Sequence, residues 1–94
     1  MNQGLKYNII KFICCDNEFK TYVYMLNKGS AINKAEIIKK FNFTERQMNG
    51  ILIGLMKKNL INKKSVLLCR SFSINTDLLN SNIIEFLNAI NIYI

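Results

Sequence analysis

The sequence contains no histidine and no proline, and only three cysteines, four glycines and six carboxylates among its 94 residues. Each scarcity removes a class of function. Cys14, Cys15 and Cys69 are odd in number and form no C-x-x-C pair. With no histidine beside them, neither a zinc site nor a disulfide framework is expected within the chain. Reduced cysteines in an intracellular protein are the simpler reading. The cysteines also lack a base partner, the carboxylates are scattered, and no glycine-rich loop follows a strand. No enzyme constellation is present, so the chain is read as a non-enzyme with no cofactor. No linker, low-complexity stretch or internal repeat divides it, and it reads as one domain with a modest core. No apolar run approaches the roughly 20 residues that a membrane span needs. Lys11 interrupts the first apolar stretch and no small-residue cleavage site follows, so no signal peptide is expected. The expected location is intracellular: nuclear in a eukaryote, cytoplasmic in an archaeon, a bacterium or a virus-infected cell.

What is present in excess is positive charge. The net charge is +7, which points to nucleic acid or another acidic partner. Asn, Ile and Lys supply 40 of the 94 residues, a bias that an AT-rich genome imprints on any protein, so position is better evidence than total. Lys34, Lys39, Lys40, Arg46, Lys57, Lys58, Lys63 and Lys64 fall between residues 34 and 64, against only Glu36 and Glu45.

That basic stretch contains two helix starts. Asn33 followed by Glu36, and Thr44 followed by Gln47, are capping-box patterns. The first helix ends near Phe41. The second carries Met48, Ile51, Leu52 and Leu55 as one apolar stripe. Asn59 closes it, a residue that tolerates the left-handed conformation of a helix stop. A short helix, a tight turn and a longer helix over residues 33–59 read as a helix-turn-helix. The competing reading is a plain two-helix piece of a bundle.

The flanking segments favour the first reading. Residues 4–15 predict a helix apolar on two sides, with Leu5, Ile9, Phe12 and Ile13 on one and Tyr7, Ile10 and Cys14 on the other. Such a helix is either sandwiched within the domain or covered by a partner. Asp16 is expected to cap the next helix, whose stripe is Phe19, Tyr22, Val23 and Leu26. Gly29 stops it, and Ala31–Ile32 leaves room for a minimal strand. After Asn59, Leu60 and Ile61 begin an extended segment. Leu68, Arg70, Phe72 and Ile74 alternate with Cys69, Ser71 and Ser73, the period of a half-buried strand. The polar residues 62–65 are expected at the tip of this hairpin. Thr76 or Asp77 is expected to cap a last helix over 76–92, with Leu79, Ile83, Phe86, Leu87 and Ile90 as its stripe. The expected fold is therefore mainly α with a small β-wing at 60–75: a winged helix-turn-helix with an extra helix at each end.

Binding is the function left to such a fold. The second helix of the motif would lie in a major groove. A helical wheel puts Arg46, Asn49, Gly50, Ile53 and Lys57 opposite its core stripe. Arg46 and Asn49 have the groups to pair with bases; Ile53 and the two glycines do not. Each of Gly50 and Gly54 costs about 1 kcal/mol of helix stability against alanine. They serve either close backbone approach to a ligand or tight helix packing. Lys63 and Lys64 suit phosphate contact or form a solvated hairpin end. The candidate nucleic-acid-binding residues are Lys39, Lys40, Arg46, Asn49, Lys57, Lys63 and Lys64.

The order of elements resembles the extended winged-helix domain of the alpha subunit of transcription factor IIE and its archaeal counterpart, TFE. Leu5 to Cys15 looks like that family's opening helix, with Lys11 where an arginine is common. Glu36-Ile37-Ile38 and Phe41 look like its acidic-then-apolar second helix. Gln47 to Leu60 looks like the third, with Leu52, Leu55 and Leu60 in its leucine spacing. Residues 70–75 look like the return strand of the wing, and Leu78 to Ile90 like the closing helix. The resemblance implies a general transcription initiation factor that docks on RNA polymerase beside promoter DNA and helps the duplex open without reading a sequence. Its partners would be RNA polymerase and double-stranded DNA, with a partner subunit on the terminal helices and no membrane. Two other readings stand beside it. One is a sequence-specific winged-helix transcriptional regulator, which would dimerise through its terminal helices. The other is a protein-interaction winged helix in a larger assembly.

Overall fold

The computed structural model describes residues 2–29, 31–66 and 69–90, and the side chains of 4–29, 31–63 and 71–90. In chain order run α1 (Asn2–Ile13), α2 (Asp16–Lys28), α3 (Lys34–Phe41), α4 (Glu45–Lys57), β1 (Ile61–Val66), β2 (Cys69–Ile74), α5 (Thr76–Asn80) and α6 (Ile83–Ala89). The fold is mainly α-helical with one small antiparallel hairpin.

Local chemistry sets most boundaries. Asn33 Oδ1 accepts the Glu36 N–H at 2.9 Å and starts α3. Thr44 and Gln47 form both bonds of a reciprocal cap, at 3.1 and 2.9 Å, and start α4. Gly29 ends α2 at φ 71°, and Asn42 and Asn59 take φ 58° and 61° at the ends of α3 and α4. Asparagine enters this left-handed region more readily than bulkier side chains do.

Helix α2 differs from expectation at two points. Its N-cap is Cys15, one residue ahead of Asp16, and Glu18 Oε1 accepts the Cys15 N–H at 3.1 Å. Its most buried residues are Thr21, Tyr22 and Met25, while Phe19, Val23 and Leu26 are half-buried. Helix α2 touches α1, α4 and β2, so it buries a sector wider than a single stripe.

The hairpin also departs from expectation. Its register runs from Ile61↔Ile74 to Val66↔Cys69, so Asn62–Ser65 lie within β1. Leu68 lies outside the described residues. The polar run fits a strand because β1 pairs with β2 on one side only and presents Asn62 and Lys63 to solvent. On the other side of β2, Ile32 exchanges two backbone hydrogen bonds with Phe72, at 2.9 and 2.8 Å. The minimal strand expected at Ala31–Ile32 is this bridge.

The single helix expected over 76–92 is broken. Asn75, not Thr76 or Asp77, caps α5 by accepting the Leu78 N–H at 3.2 Å. Asn82 caps α6 by accepting the Glu85 N–H at 2.9 Å. A side-chain cap in mid-segment competes with helix continuation. The interruption is secured from outside: Lys6 of α1 is buried and donates to the carbonyls of Leu79, at 2.7 Å, and Ser81. Its ammonium also lies 5.6 Å from the Phe86 ring centroid. Ile92, Tyr93 and Ile94 lie outside the described residues.

The core joins Ile10, Tyr22, Met25, Ile37, Met48, Leu52, Leu55, Leu60, Phe72 and Phe86, all buried. Leu52 and Leu55 have the register expected of them. Of the two apolar sides of α1, the one with Ile10 and Cys14 is buried, while Leu5 and Phe12 are 51% and 89% exposed. Among the described residues no helix is long and apolar enough to cross a membrane.

Candidate nucleic-acid interface

The outward side of α4 is the natural place to look, since its inward side is used up. Arg46, Asn49, Gly50, Ile53 and Lys57 are all exposed, as the wheel predicts from the burial of Met48, Ile51, Leu52 and Leu55. The face has two flanks. On one, α4 meets α3 and β1 along a groove of about 270 Å³, lined by Lys34, Asn49, Ile53, Met56 and Lys63. On the other, it meets the start of α2 in a hollow of about 240 Å³ that includes Asn17, Arg46 and Gly50.

The two glycines of α4 have separate reasons. A β-carbon at Gly54 would collide with the Glu18 carboxylate, whereas one at Gly50 meets nothing within 4 Å. Gly54 therefore admits the α2 contact. Through it Glu18 reaches Lys58, at 3.1 Å. Gly50 leaves the outward surface of α4 bare, with no internal neighbour requiring it.

The predicted basic residues do not form one patch. Lys39 is exposed on the last turn of α3, and Lys40 leans onto α2, 6.0 Å from the Tyr24 ring centroid. Neither lines the groove. Arg46 lines the hollow on the α2 flank, and Lys57 is exposed at the end of α4. Lys63 is not at a hairpin tip. It pairs in register with Phe72 in the body of the hairpin, and this puts it on the groove beside Ile53 and Met56. Lys64 is likewise within β1, opposite Ser71; its side chain lies outside the described residues.

Sequence reasoning left Lys34 out of the site, although it opens the basic stretch. Its ammonium pairs with Glu45 Oε1 at 2.9 Å and donates to Asn49 Oδ1 at 3.0 Å. The signal was the capping residue Asn33: it fixes where α3 begins, and so brings the next residue to the start of α4. Lys34 and Lys58 have carboxylate partners, whereas Lys39, Arg46, Lys57 and Lys63 have none among the described residues. These four cations are on the outer surface of α3, α4 and β1; Lys11 of α1 and Lys20 of α2 are likewise exposed with no carboxylate partner among the described residues. Among the described residues no cluster of cysteine, aspartate or glutamate is placed to hold a metal ion.

Comparison with family models, with curated proteins and with solved structures finds no match to this chain.

Proposed function

We propose that the chain is a winged-helix module that binds double-stranded DNA, with α4 toward the major groove and β1 as the wing. Phosphate contact supplies most of the affinity and sequence selectivity is low. The observation that carries this reading is the distribution of uncompensated charge. Lys58 is neutralised by Glu18 on the α2 side and Lys34 by Glu45, while Arg46, Lys57 and Lys63 are exposed with no carboxylate partner among the described residues. Cations without internal partners release condensed counterions when they meet phosphates, and this drives binding. The resemblance in element order supports assigning such a module to the transcription initiation machinery, in contact with RNA polymerase as well as promoter DNA.

The test is titration of unrelated duplexes at several salt concentrations. Dissociation constants around 10⁻⁴–10⁻⁶ M at physiological salt, falling steeply as salt is lowered, are expected of such contacts. Lys63→Gln should weaken every duplex alike and flatten the salt dependence by about one unit of slope. Absence of binding at low salt would overturn the reading. Retention of RNA polymerase by the immobilised chain tests the second half of the proposal.

A second reading, a dimeric sequence-specific regulator, is favoured by one observation. Leu5 and Phe12 on α1 and Ile84 on α6 are exposed by 51%, 89% and 69%, apolar side chains on the terminal helices that a second copy or a partner subunit would cover. Sedimentation of the chain, with and without Phe12→Ser, separates a dimer from a monomer.

A further inference from the structure

The groove beside α4 holds two groups of a kind that recognises one class of base pair. Asn49 and Ile53 stand four residues apart on the same helix, both exposed, and both line the groove flanked by Lys34 and Lys63. Four residues of helix rise about 6 Å, close to two base-pair steps of about 3.4 Å each. The side chains can therefore address positions about two base pairs apart in one major groove.

Their chemistry is unequal. An asparagine amide offers an acceptor and donors in one plane, the pattern that pairs with N6 and N7 of adenine. An isoleucine offers no hydrogen bond, and its favourable major-groove contact is the C5-methyl of thymine. Asn49 is also held in place. Lys34 donates to its Oδ1 at 3.0 Å while pairing with Glu45 at 2.9 Å. The oxygen keeps a second lone pair and the Nδ2 keeps both hydrogens, so the bond orients the amide without exhausting it. Gly50, between them on the outward side, has no neighbour within 4 Å of where a β-carbon would stand. The helix backbone can approach a base edge closely at that point.

We infer that Asn49 and Ile53 give this face a preference for A·T base pairs, Asn49 through adenine and Ile53 through the thymine methyl, with Lys34 as the positioning residue. The inference rests on the duplex-binding reading above and narrows it: selectivity is low among A·T-containing sequences and directed against G·C. Lys63 supplies the uncompensated positive charge at the groove edge, since Lys34 is paired with Glu45.

The test compares three duplexes of equal length at one low salt concentration: A·T-rich, G·C-rich, and the A·T-rich sequence with uracil replacing thymine. The uracil duplex lacks only the methyl groups. The parent chain should bind the A·T duplex about tenfold tighter than the G·C duplex. The uracil duplex should fall between them. Ile53→Ala should make the thymine and uracil duplexes equivalent, and Asn49→Ala should shrink the A·T over G·C ratio. Lys34→Met should shrink that ratio partly, by leaving the Asn49 amide unoriented. Equal binding of all three duplexes by the parent would overturn the inference and leave the duplex-binding reading intact. A preference unchanged by Asn49→Ala and Ile53→Ala would also overturn it, because the source would then be groove shape. No binding to any duplex would overturn both. The uracil comparison needs no variant, so it holds even if a substitution disturbs the fold.

Discussion

Leu52 and Ile53 are neighbours in α4 with opposite surroundings: Leu52 is 2% exposed and Ile53 49%. The same division recurs between residues of identical type. Gly54 lies against Glu18 and Gly50 against nothing. Lys6 is buried over the α5–α6 break, whereas Lys11 is exposed. Cys14 is buried and Cys15 exposed. In each pair one side chain, or the space for one, is packed into the fold and the other faces outward. What separates them is the element that packs alongside, which residue type does not reveal. A site on the outward members can change without cost to the core, and a substitution on the inward ones cannot.

The largest contrast should appear in α4. Leu52→Ala is expected to cost about 2–5 kcal/mol, a large share of the ~5–15 kcal/mol typical of a whole domain. Ile53→Ala should stay within about 0.5 kcal/mol. Chemical denaturation of the two variants measures both, and equal midpoints would break the comparison. The lysines come next. Lys6→Met removes the donors to Leu79 and Ser81 and should cost about 1.5–3 kcal/mol, while Lys11→Met should change stability by less than about 0.5 kcal/mol. If the two substitutions proved equal, Lys6 would not be holding the α5–α6 break.

The glycine pair should differ by less. Gly50→Ala should stabilise the chain by up to about 1 kcal/mol, the helix-propensity gain with no opposing contact. Gly54→Ala should fall short of that gain by about 1 kcal/mol or more, because the new methyl displaces Glu18 from Lys58 and from the Cys15 N–H. A Gly54→Ala variant as stable as Gly50→Ala would mean that the Glu18 carboxylate relocates freely.

The cysteines should give the smallest energetic effect and a clear chemical one. Burial, with the Glu18 carboxylate nearby, pushes the Cys14 thiol from 9.0 up to about 11. Alkylation at pH 8, mapped by mass spectrometry, should label Cys15 and spare Cys14 in the native chain. The raised value also has a pH consequence. Below about pH 9 both native and unfolded chains hold the Cys14 proton. Between about 9 and 11 the unfolded chain releases it first, so stability falls as pH rises through that window. Burial likewise raises Tyr22 above its usual 10.0, which adds a second decline. Cys14→Ala should remove the Cys14 decline and lessen the Tyr22 one, because the Cys14 thiolate also raises Tyr22, in melts taken across the window.

How much was legible follows the range of the interaction. Asn33, Thr44, Gly29 and Asn59 mark helix ends with their own backbone chemistry, and each stands where the sequence predicts. The buried stripe of α4 is equally local, because helical period alone aligns Met48, Ile51, Leu52 and Leu55. The polar run 62–65 suggests a turn, but nothing in it forces one, and in the structure it belongs to a strand whose Asn62 and Lys63 face water. The break after α5 carried a readable sign in Asn82 with Glu85 three residues on. The apolar stripe running through it concealed that sign. Lys6 gave no local sign, since its partners lie 73 and 75 residues away. In the candidate site, wheel position singles out Asn49 and Lys57 and charge singles out Lys63; the structure has Asn49 and Lys63 on the groove and Lys57 outside it. Lys34 was missed because its role depends on how α3 meets α4.

The one-sided pairing of β1 carries a consequence for solubility. Among the described residues its outer edge has no strand beside it, and an open edge is a template on which further chains can stack. The sequence of that strand, Ile-Asn-Lys-Lys-Ser-Val, interrupts its two apolar ends with consecutive lysines, and like charges repel a second copy aligned on the same edge. Lys63 and Lys64 thus put positive charge into the sequence of an open edge strand, whatever ligand they meet. Replacing both with valine should turn a clear solution into one that forms thioflavin-positive aggregates on warming, before any question of DNA arises.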